Sequence, residues 1–501
     1  MKRFHRSVSL LLALLMILPL AGCSETTAEP GETAAADTPV LSGEEVTETE
    51  AETEDPWYGL PTADFGGRTY TILTSNWPGE AVWTVDDFTA EELTGEPLND
   101  AVYTRNTNVE DRLNCVIAED NMVGKPEAEL ALKNSVAAQD DAYQVWVPRL
   151  QEYISIASNG YIMDLQEVEG IDFANKAWVQ NSIDGLSILG HKFAVCNEMM
   201  TIHKEAVSSI IFNKNLAEQY QIEDPYTVVT DDRWTLDYFA SVVQQVSADL
   251  NGDGKMTDAD QWGFFYQRDT LDAFLAAGKG KLCEKDETDR PIYTYDSENT
   301  ITILMKVTDL LYDQNICYNV MNAAGDFNVW MANKFMADEA MFMWVRDVNI
   351  PQLRTMESDF GILPNPKYNE TIDNYYSIVN SYTGAALSIP KIGNAEIAET
   401  VGLFVETMGA ASLTTLSVAY YDTLLNGIVA RDQESQQMLD IIYANTTYDP
   451  GSIGAYSSIN DYIYMAMDYD QNFASNAASR KKAVEKVINR TCDKIAETYG
   501  D

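Results

Sequence analysis

RTYTILTSNW, residues 68 to 77, is a run of β-branched and aromatic residues that ends in polar ones, as a strand does when it crosses a core and stops at its edge. The residues after it decide the fold. A helix is expected over roughly 96 to 113, then NCVIAED (114–120) as a strand, EAELALKNSVAAQ (127–139) as a helix and AYQVWVP (142–148) as a strand, with a further helix before GYIMDL (160–165). Strands alternating with helices form a mostly parallel sheet, because a parallel neighbour is reached only through a crossover connection. The first part of the chain therefore reads as an α/β lobe.

The pattern recurs further along with different residues. SSIIFNKNLAEQYQI (208–222) reads as a strand running into a helix. WTLDYFASVVQQVSADL (234–250) places apolar residues at 236, 239, 242, 243 and 246, one face of a helix. AMFMWV (340–345), DFGILP (359–364) and TGAALSIP (383–390) read as strands, and from AEIAETVGLFVETM (395–408) onward the chain is mostly helical. No tandem repeat of fixed period occurs. The chain beyond residue 56 is longer than one core usually serves, so two lobes are expected.

Lys2, Arg3 and Arg6 precede the apolar run VSLLLALLMILPLAG (8–22) and Cys23. A basic start, a short apolar core and small residues before a cut mark a secretory signal peptide. LAGC (20–23) is similar to the lipobox of bacterial lipoproteins, which makes residues 1–22 a leader and Cys23 a lipidated N-terminus. Residues 23–56 follow with many carboxylates, no Lys or Arg and no aromatic residue, a composition that cannot offset its own ordering entropy and reads as a disordered acidic tether.

Lys and Arg number 33 against 78 Asp and Glu, a net charge of −45, and three of those cations leave with the leader. Such a field excludes nucleic acid and anionic lipid as general partners. Cys115, Cys196, Cys283, Cys317 and Cys492 are widely spaced and odd in number, which is neither a disulfide framework nor a zinc site. They are expected as buried apolar residues.

Several blocks in order carry a resemblance: FNKNL (212–216), WT opening a helix at 234, DLNGDGK (249–255) with QWGF after it, KFMADEAMFMWV (334–345), DFGILPNP (359–366) and SIPK (388–391). Over 65 to 410 their order resembles family 1 of the extracellular solute-binding proteins, which includes maltose-binding protein and other sugar receptors of ABC importers. The resemblance implies a two-lobed, type II periplasmic-binding-protein-like α/β fold with a ligand cleft between the lobes. Crossings would fall near CNEMMTIHKEAVSS (196–209) and YTGAALSIP (382–390). Lobe 1 would hold 57–204 with a return segment near 386–425, lobe 2 would hold 205–385, and residues 426–501 would be a helical region packed on both.

DLNGDGKMTDAD (249–260) follows the calcium loop of EF-hands position by position. Asp249, Asn251, Asp253, the Lys255 carbonyl, Thr257 and Asp260 take the ligand places, with Gly254 at the sharp turn; Asp260 stands where the sensors have Glu. QWGFFYQ, directly after, is β-like, so no exiting helix is there to be swung by the ion. A structural Ca²⁺ is expected.

Nucleophilic catalysis has little to work with, since His191 and His203 are the histidines beyond the leader and no GxSxG is present. AAGKGK (276–281) lacks the residues of a phosphate loop. Glycoside hydrolysis needs only two carboxylates, which an acidic chain offers in abundance, so a surface glycosidase stays as the alternative, beside a receptor for a non-sugar solute. Sugar binding leaves a different trace, aromatic rings and polar groups at strand ends that converge on a cleft. Asn76 and Trp77 close the first strand, Trp146 and Arg149 close AYQVWVPR, and Asn197 and Glu198 open the first crossing. Trp344, Arg346 and Asp347 follow AMFM, and Tyr382 stands at the second crossing. By the resemblance these ends line the cleft, Trp344 near the aromatic platform. Each also has a plainer reading: a tryptophan on a strand is often core, as Trp234 and Trp262 are expected to be, and Arg346 beside Asp347 reads equally as an ion pair. The expected protein is a monomeric, lipid-anchored receptor on the outer face of the cell membrane. It would capture a carbohydrate and pass it to permease subunits driven by a separate ATPase.

Overall fold

The computed structural model describes residues 55, 57–76, 87–425 and 433–500. The leader, Cys23, the tether and Trp77 lie outside the described residues. The strands are β1 (Arg68–Asn76), β2 (Cys115–Val123), β3 (Val145–Val147), β4 (Ser208–Asn213), β5 (Trp262–Tyr266), β6 (Cys283–Lys285), β7 (Pro291–Tyr293), β8 (Cys317–Asn319), β9 (Ala340–Arg346), β10 (Phe360–Leu363), β11 (Ser377–Ile378) and β12 (Thr446–Thr447).

Two sheets organise the fold, and they share one topology. In the first, β1 lies between β2 and β3, all parallel. Residues 385–390 then run antiparallel to β3, through Arg149 with Ala385 and Trp146 with Ser388, and Val195 pairs antiparallel with Leu387 beyond them. In the second, β5 lies between β8 and β9, both parallel to it; β4 is antiparallel to β9, and β10 is antiparallel to β4. Each sheet thus has a parallel trio, then a strand delivered by the chain as it arrives from the other sheet, then a last strand. The inverted β4 makes the second sheet mixed, where the alternation of elements predicts mostly parallel. TGAALSIP is expected as a strand but forms only isolated bridges. Pro148 lies opposite Ala386, whose N–H reaches the Pro148 carbonyl at 3.1 Å, and proline has no N–H to return.

The helix Leu236–Val246 shows how the second core is held. Thr235 caps it by accepting from the Tyr238 N–H, and Leu236, Phe239, Val242, Val243 and Val246 are buried, the five positions picked out by periodicity. Phe239 meets Phe264 edge-on and Phe342 tilted, each at 4.9 Å between ring centres. Burial of each such side chain contributes about 1.5–3 kcal/mol. The helix lies so close to β5 that a Cβ on Gly263 would stand 2.2 Å from the Val243 carbonyl oxygen. Trp234 and Trp262 are core residues, as expected, and the five cysteines are free and buried.

Helices Ala395–Ala398, Val401–Leu413 and Leu416–Leu425 follow the second crossing. This stretch is long and apolar enough to cross a membrane, but 67% of its apolar window is buried within the protein, the mark of a core helix. The helix Phe473–Tyr499 runs from the small β6–β7 hairpin to the first sheet. Near its start Tyr293 of β7 donates to the Ala477 carbonyl at 2.7 Å, and at its end Tyr499 donates to the Ile162 carbonyl at 2.6 Å.

Candidate functional site

In open α/β sheets the functional crevice lies beyond the carboxyl ends of the strands. Here those ends are joined by the two crossings, which run side by side: the Asn380 N–H donates to the Ala206 carbonyl at 3.0 Å. The seam around them is the candidate site.

Asp347 directly follows β9 and turns into the seam. Its carboxylate accepts from Ser209 Oγ at 2.6 Å and Tyr443 Oη at 2.9 Å, and it is fully buried. Burial pushes its pKa up to about 7, against the pull of those two donors. Glu198 lies on the first crossing, paired with Lys204 Nζ at 2.5 Å and His203 Nε2 at 3.6 Å, and it accepts from Ser417 Oγ at 2.5 Å. Burial works to raise this carboxyl, but Lys204 and His203 outweigh it and hold it well below the usual carboxylate range. Burial lowers the His203 pKa in turn. Between these two acids stand three tyrosines. Tyr421 and Tyr443 meet edge-on at 5.9 Å and Tyr420 adjoins Tyr421, while Lys204 lies 5.3 Å from the Tyr421 ring centre. Glu205, which accepts from Thr201 at 2.8 Å, raises the Tyr420 pKa together with burial, as does Asp347.

Arg149 approaches from the first sheet and donates to the Thr383 carbonyl on the second crossing at 2.6 Å, next to Tyr382, which is 52% exposed. Gln151 crosses the seam to Ser381 Oγ at 3.0 Å. Of the residues expected from the sequence, Arg149, Glu198, Asp347 and Tyr382 are thus brought to one seam.

Others are placed elsewhere. Trp146 is fully buried in the first sheet beside Leu73 and Trp344 is 2% exposed on β9 beside Ile210, so neither presents an open ring face in this conformation. Both lie within the paired part of a strand rather than past its end, where sheet packing covers them. Arg346 is ion-paired with Asp269 of the turn after β5, and its guanidinium lies 5.9 Å from the Trp344 ring centre. Strand alternation puts it on the Trp344 side of β9, while Asp347 faces Ser209. Asn197 is fully buried behind the crossing: its Oδ1 accepts the Met199 N–H at 3.0 Å, and Gly409 packs over it. Asn76 closes β1 and donates to Asn121 on β2 at 2.5 Å. Sequence reasoning missed Lys204, Glu205, Ser209, Tyr420, Tyr421 and Tyr443. Lys204, Glu205 and Ser209 lie within the crossing expected at 196–209, and Tyr420 and Tyr421 show only as a pair inside the largely apolar LSVAYYDTLL.

The acidic loop is curled as its glycines allow, Gly252 and Gly254 having φ of 72° and 80°. Asp249 accepts the N–H groups of Gly252 and Gly254, both at 2.7 Å; Asn251 accepts that of Asp253 and Asp253 that of Lys255, both at 2.8 Å. Asp260 ties the loop shut by accepting from Leu250 at 3.0 Å and Thr257 at 2.7 Å. Among the described residues no three His, Cys, Asp or Glu side chains converge on one point as a ready metal cage. The donors are nonetheless hard oxygens on one tight loop, the set that calcium takes.

No family model matches the sequence, and no curated protein does. Solved structures share the fold. The chain is similar to an ABC substrate-binding protein of Listeria monocytogenes in complex with cycloalternan (12% identity, TM-score 0.51, covering 87% of this chain and 99% of that one). It is similar also to the maltose/maltodextrin-binding domain MalE of Bdellovibrio bacteriovorus bound to maltotriose (13%, 0.51, 84% and 100%). A third is a cyclic alpha-maltosyl-1,6-maltose binding protein of Arthrobacter globiformis (11%, 0.52, 86% and 100%). The architecture is therefore the two-lobed α/β fold of periplasmic binding proteins, type II.

Proposed function

We propose that this chain is the solute receptor of an ABC importer and that it captures a carbohydrate, an oligosaccharide, by closing its two lobes. The observation that carries the reading is the seam, where two sheets of one topology meet at paired crossings and gather three carboxylates, a guanidinium and three tyrosines. Ring faces of Tyr420, Tyr421 and Tyr443 suit the C–H faces of a pyranose, and Glu198, Glu205, Asp347 and Arg149 suit its hydroxyls. In the conformation described Asp347 is held by Tyr443 and Ser209, Glu198 by Lys204 and Ser417, Glu205 by Thr201 and Arg149 by the Thr383 carbonyl, while the Tyr420 hydroxyl is buried without a hydrogen-bond partner among the described residues; a sugar exchanges bonds of this kind for its own hydroxyls. Proteins of this fold solved with cycloalternan and maltotriose support the solute class.

Capture without turnover is the companion proposal. Among the described residues neither His191, which meets Asp164 at 2.8 Å and the Gly500 carbonyl at 3.4 Å, nor His203, buried 3.6 Å from Glu198, is hydrogen-bonded to a serine, threonine or cysteine side chain, the pairing that activates such a nucleophile. The lipobox-like LAGC and the acidic segment after it support a lipid anchor on Cys23 and a place on the outer face of the membrane, with permease and ATPase as separate partners. Asp249, Asn251, Asp253, Lys255, Thr257 and Asp260 would hold one structural Ca²⁺ between the helix and β5. Incubation with maltodextrins followed by chromatography tests capture. Saturable binding with the sugar recovered unchanged supports a receptor, and shortened products would make the protein a glycosidase.

A further inference from the structure

The helix Phe473–Tyr499 has a charge pattern opposite to that of the chain. Lys482, Lys486, Arg490 and Lys494 recur every fourth residue along it and are exposed, so they share one face, within a chain of net charge −45. Toward its C-terminal end a cavity of about 440 Å³ lies between this helix, the helix Tyr153–Ala157 and the turn at Gly454–Tyr456, within the size range of small-molecule sites. Gln151, Ser155, Tyr456, Arg490, Thr491 and Lys494 line it, and among the described residues no Asp or Glu does.

Among the described residues neither Arg490 nor Lys494 has a carboxylate within 4 Å. Lys494 Nζ rests on the neutral amide oxygen of Asn159 at 2.6 Å, and Asp493, on the flank of the helix, is drawn 3.7 Å from Arg290. Glu485, Asp493 and Glu497, each three residues past a cation of the stripe, line a second, shallower depression with it, and none of them lines the cavity. Tyr456 forms a closed wall of the cavity: it is 1% exposed and its hydroxyl is shut off from solvent. Its phenolic end packs on Gly454, where a Cβ would stand 2.1 Å from Tyr456 Cζ. Three non-glycine residues beside it, Ala455, Ser457 and Ser458, hold left-handed backbone with φ of 44°, 50° and 59°. Strain of this kind gathers where a site requires it.

We propose that this cavity binds a small hydroxylated oxyanion, its phosphate or carboxylate taken by Arg490 and Lys494 and its hydroxyls by Ser155 and Thr491. A planar guanidinium beside an ammonium is the recognition pair for such a group. The site is separate from the seam and does not rest on the carbohydrate reading of it.

Calorimetric titration of the purified protein with inorganic phosphate, glucose 6-phosphate and glucuronate, with glucose as the neutral control, tests the site. At least one anion is expected to bind saturably. Arg490→Gln with Lys494→Gln should weaken it about tenfold or more, the loss expected for charge-assisted contacts. Lys482→Gln with Lys486→Gln, which removes as much charge from the same helix, should leave it within about twofold. Both variants change exposed side chains, so unfolding midpoints and any response to neutral sugar should be unchanged. Preference for glucose 6-phosphate assigns a phosphate ligand, and preference for glucuronate a carboxylate. The proposal is overturned if none of the three anions binds, if both double variants weaken binding equally, or if binding survives Arg490→Gln with Lys494→Gln.

Discussion

Replacing Asp347 by asparagine is expected to change how the protein's stability depends on pH. The carboxyl is fully buried and held by Ser209 and Tyr443, and its pKa is pushed from the ordinary 3.8 up to about 7, chiefly by burial. A raised carboxyl pKa means that the folded state binds the proton more tightly than the unfolded one. The contribution of Asp347 to stability is therefore complete below the unfolded pKa, and it is lost as the pH rises through the folded one. A shift of roughly three units corresponds to about 4 kcal/mol lost between pH 4 and pH 8. Asparagine does not ionise, and its amide keeps one of the two hydrogen bonds, so it gives up about 1 kcal/mol at every pH. The variant should thus be about as stable as the natural protein near pH 4.5 and more stable near pH 8.5, by about 3 kcal/mol. Urea unfolding of both proteins across this range measures the difference. Other buried acids, such as Asp272, whose pKa burial also pushes to about 7, contribute equally to both curves and cancel. A difference between the two proteins that stays constant with pH would refute the reasoning.

Glu198→Gln strips the buried Lys204 of its partner and should cost about 3–5 kcal/mol, whereas changing both residues to apolar ones should restore most of it; chemical denaturation of the three variants reads this. Gly263→Ala should destabilise by at least about 1–3 kcal/mol, because the new methyl meets the Val243 carbonyl and the helix must move off β5; the unfolding midpoint reports it. Millimolar Ca²⁺ should raise the midpoint and Asp253→Ser should abolish that rise, while a response to Ca²⁺ that survives the substitution would place the ion elsewhere.

The elements of the first sheet were legible because their periodicity is local: RTYTILTSN, CVIAEDNMV and the helices between them each declare their own period. The face of Leu236–Val246 was legible to the residue for the same reason. The failures were nonlocal. Nothing within TGAALSIP shows that its ladder lies opposite Pro148, or within SSIIFN that its neighbour β9 runs the other way. Arg149, Glu198 and Tyr382, singled out as strand-end or crossing residues, are placed at the seam. Tyr420, Tyr421 and Tyr443 come from helices far along the chain and were not singled out. Trp146 and Trp344 are covered in the conformation described, which composition does not reveal, since it identifies an aromatic residue near a strand end without saying whether the sheet covers it.

The central claim is solute capture in the seam, and thermal unfolding of the calcium-loaded protein against a panel of mono- and oligosaccharides tests it most directly. A ligand present at a hundred times its dissociation constant should stabilise the folded state by about 2.7 kcal/mol. One sugar class is predicted to raise the midpoint by that amount, with the rise lost in a Tyr421→Ala variant that remains folded. A midpoint that no sugar in the panel moves would contradict the account.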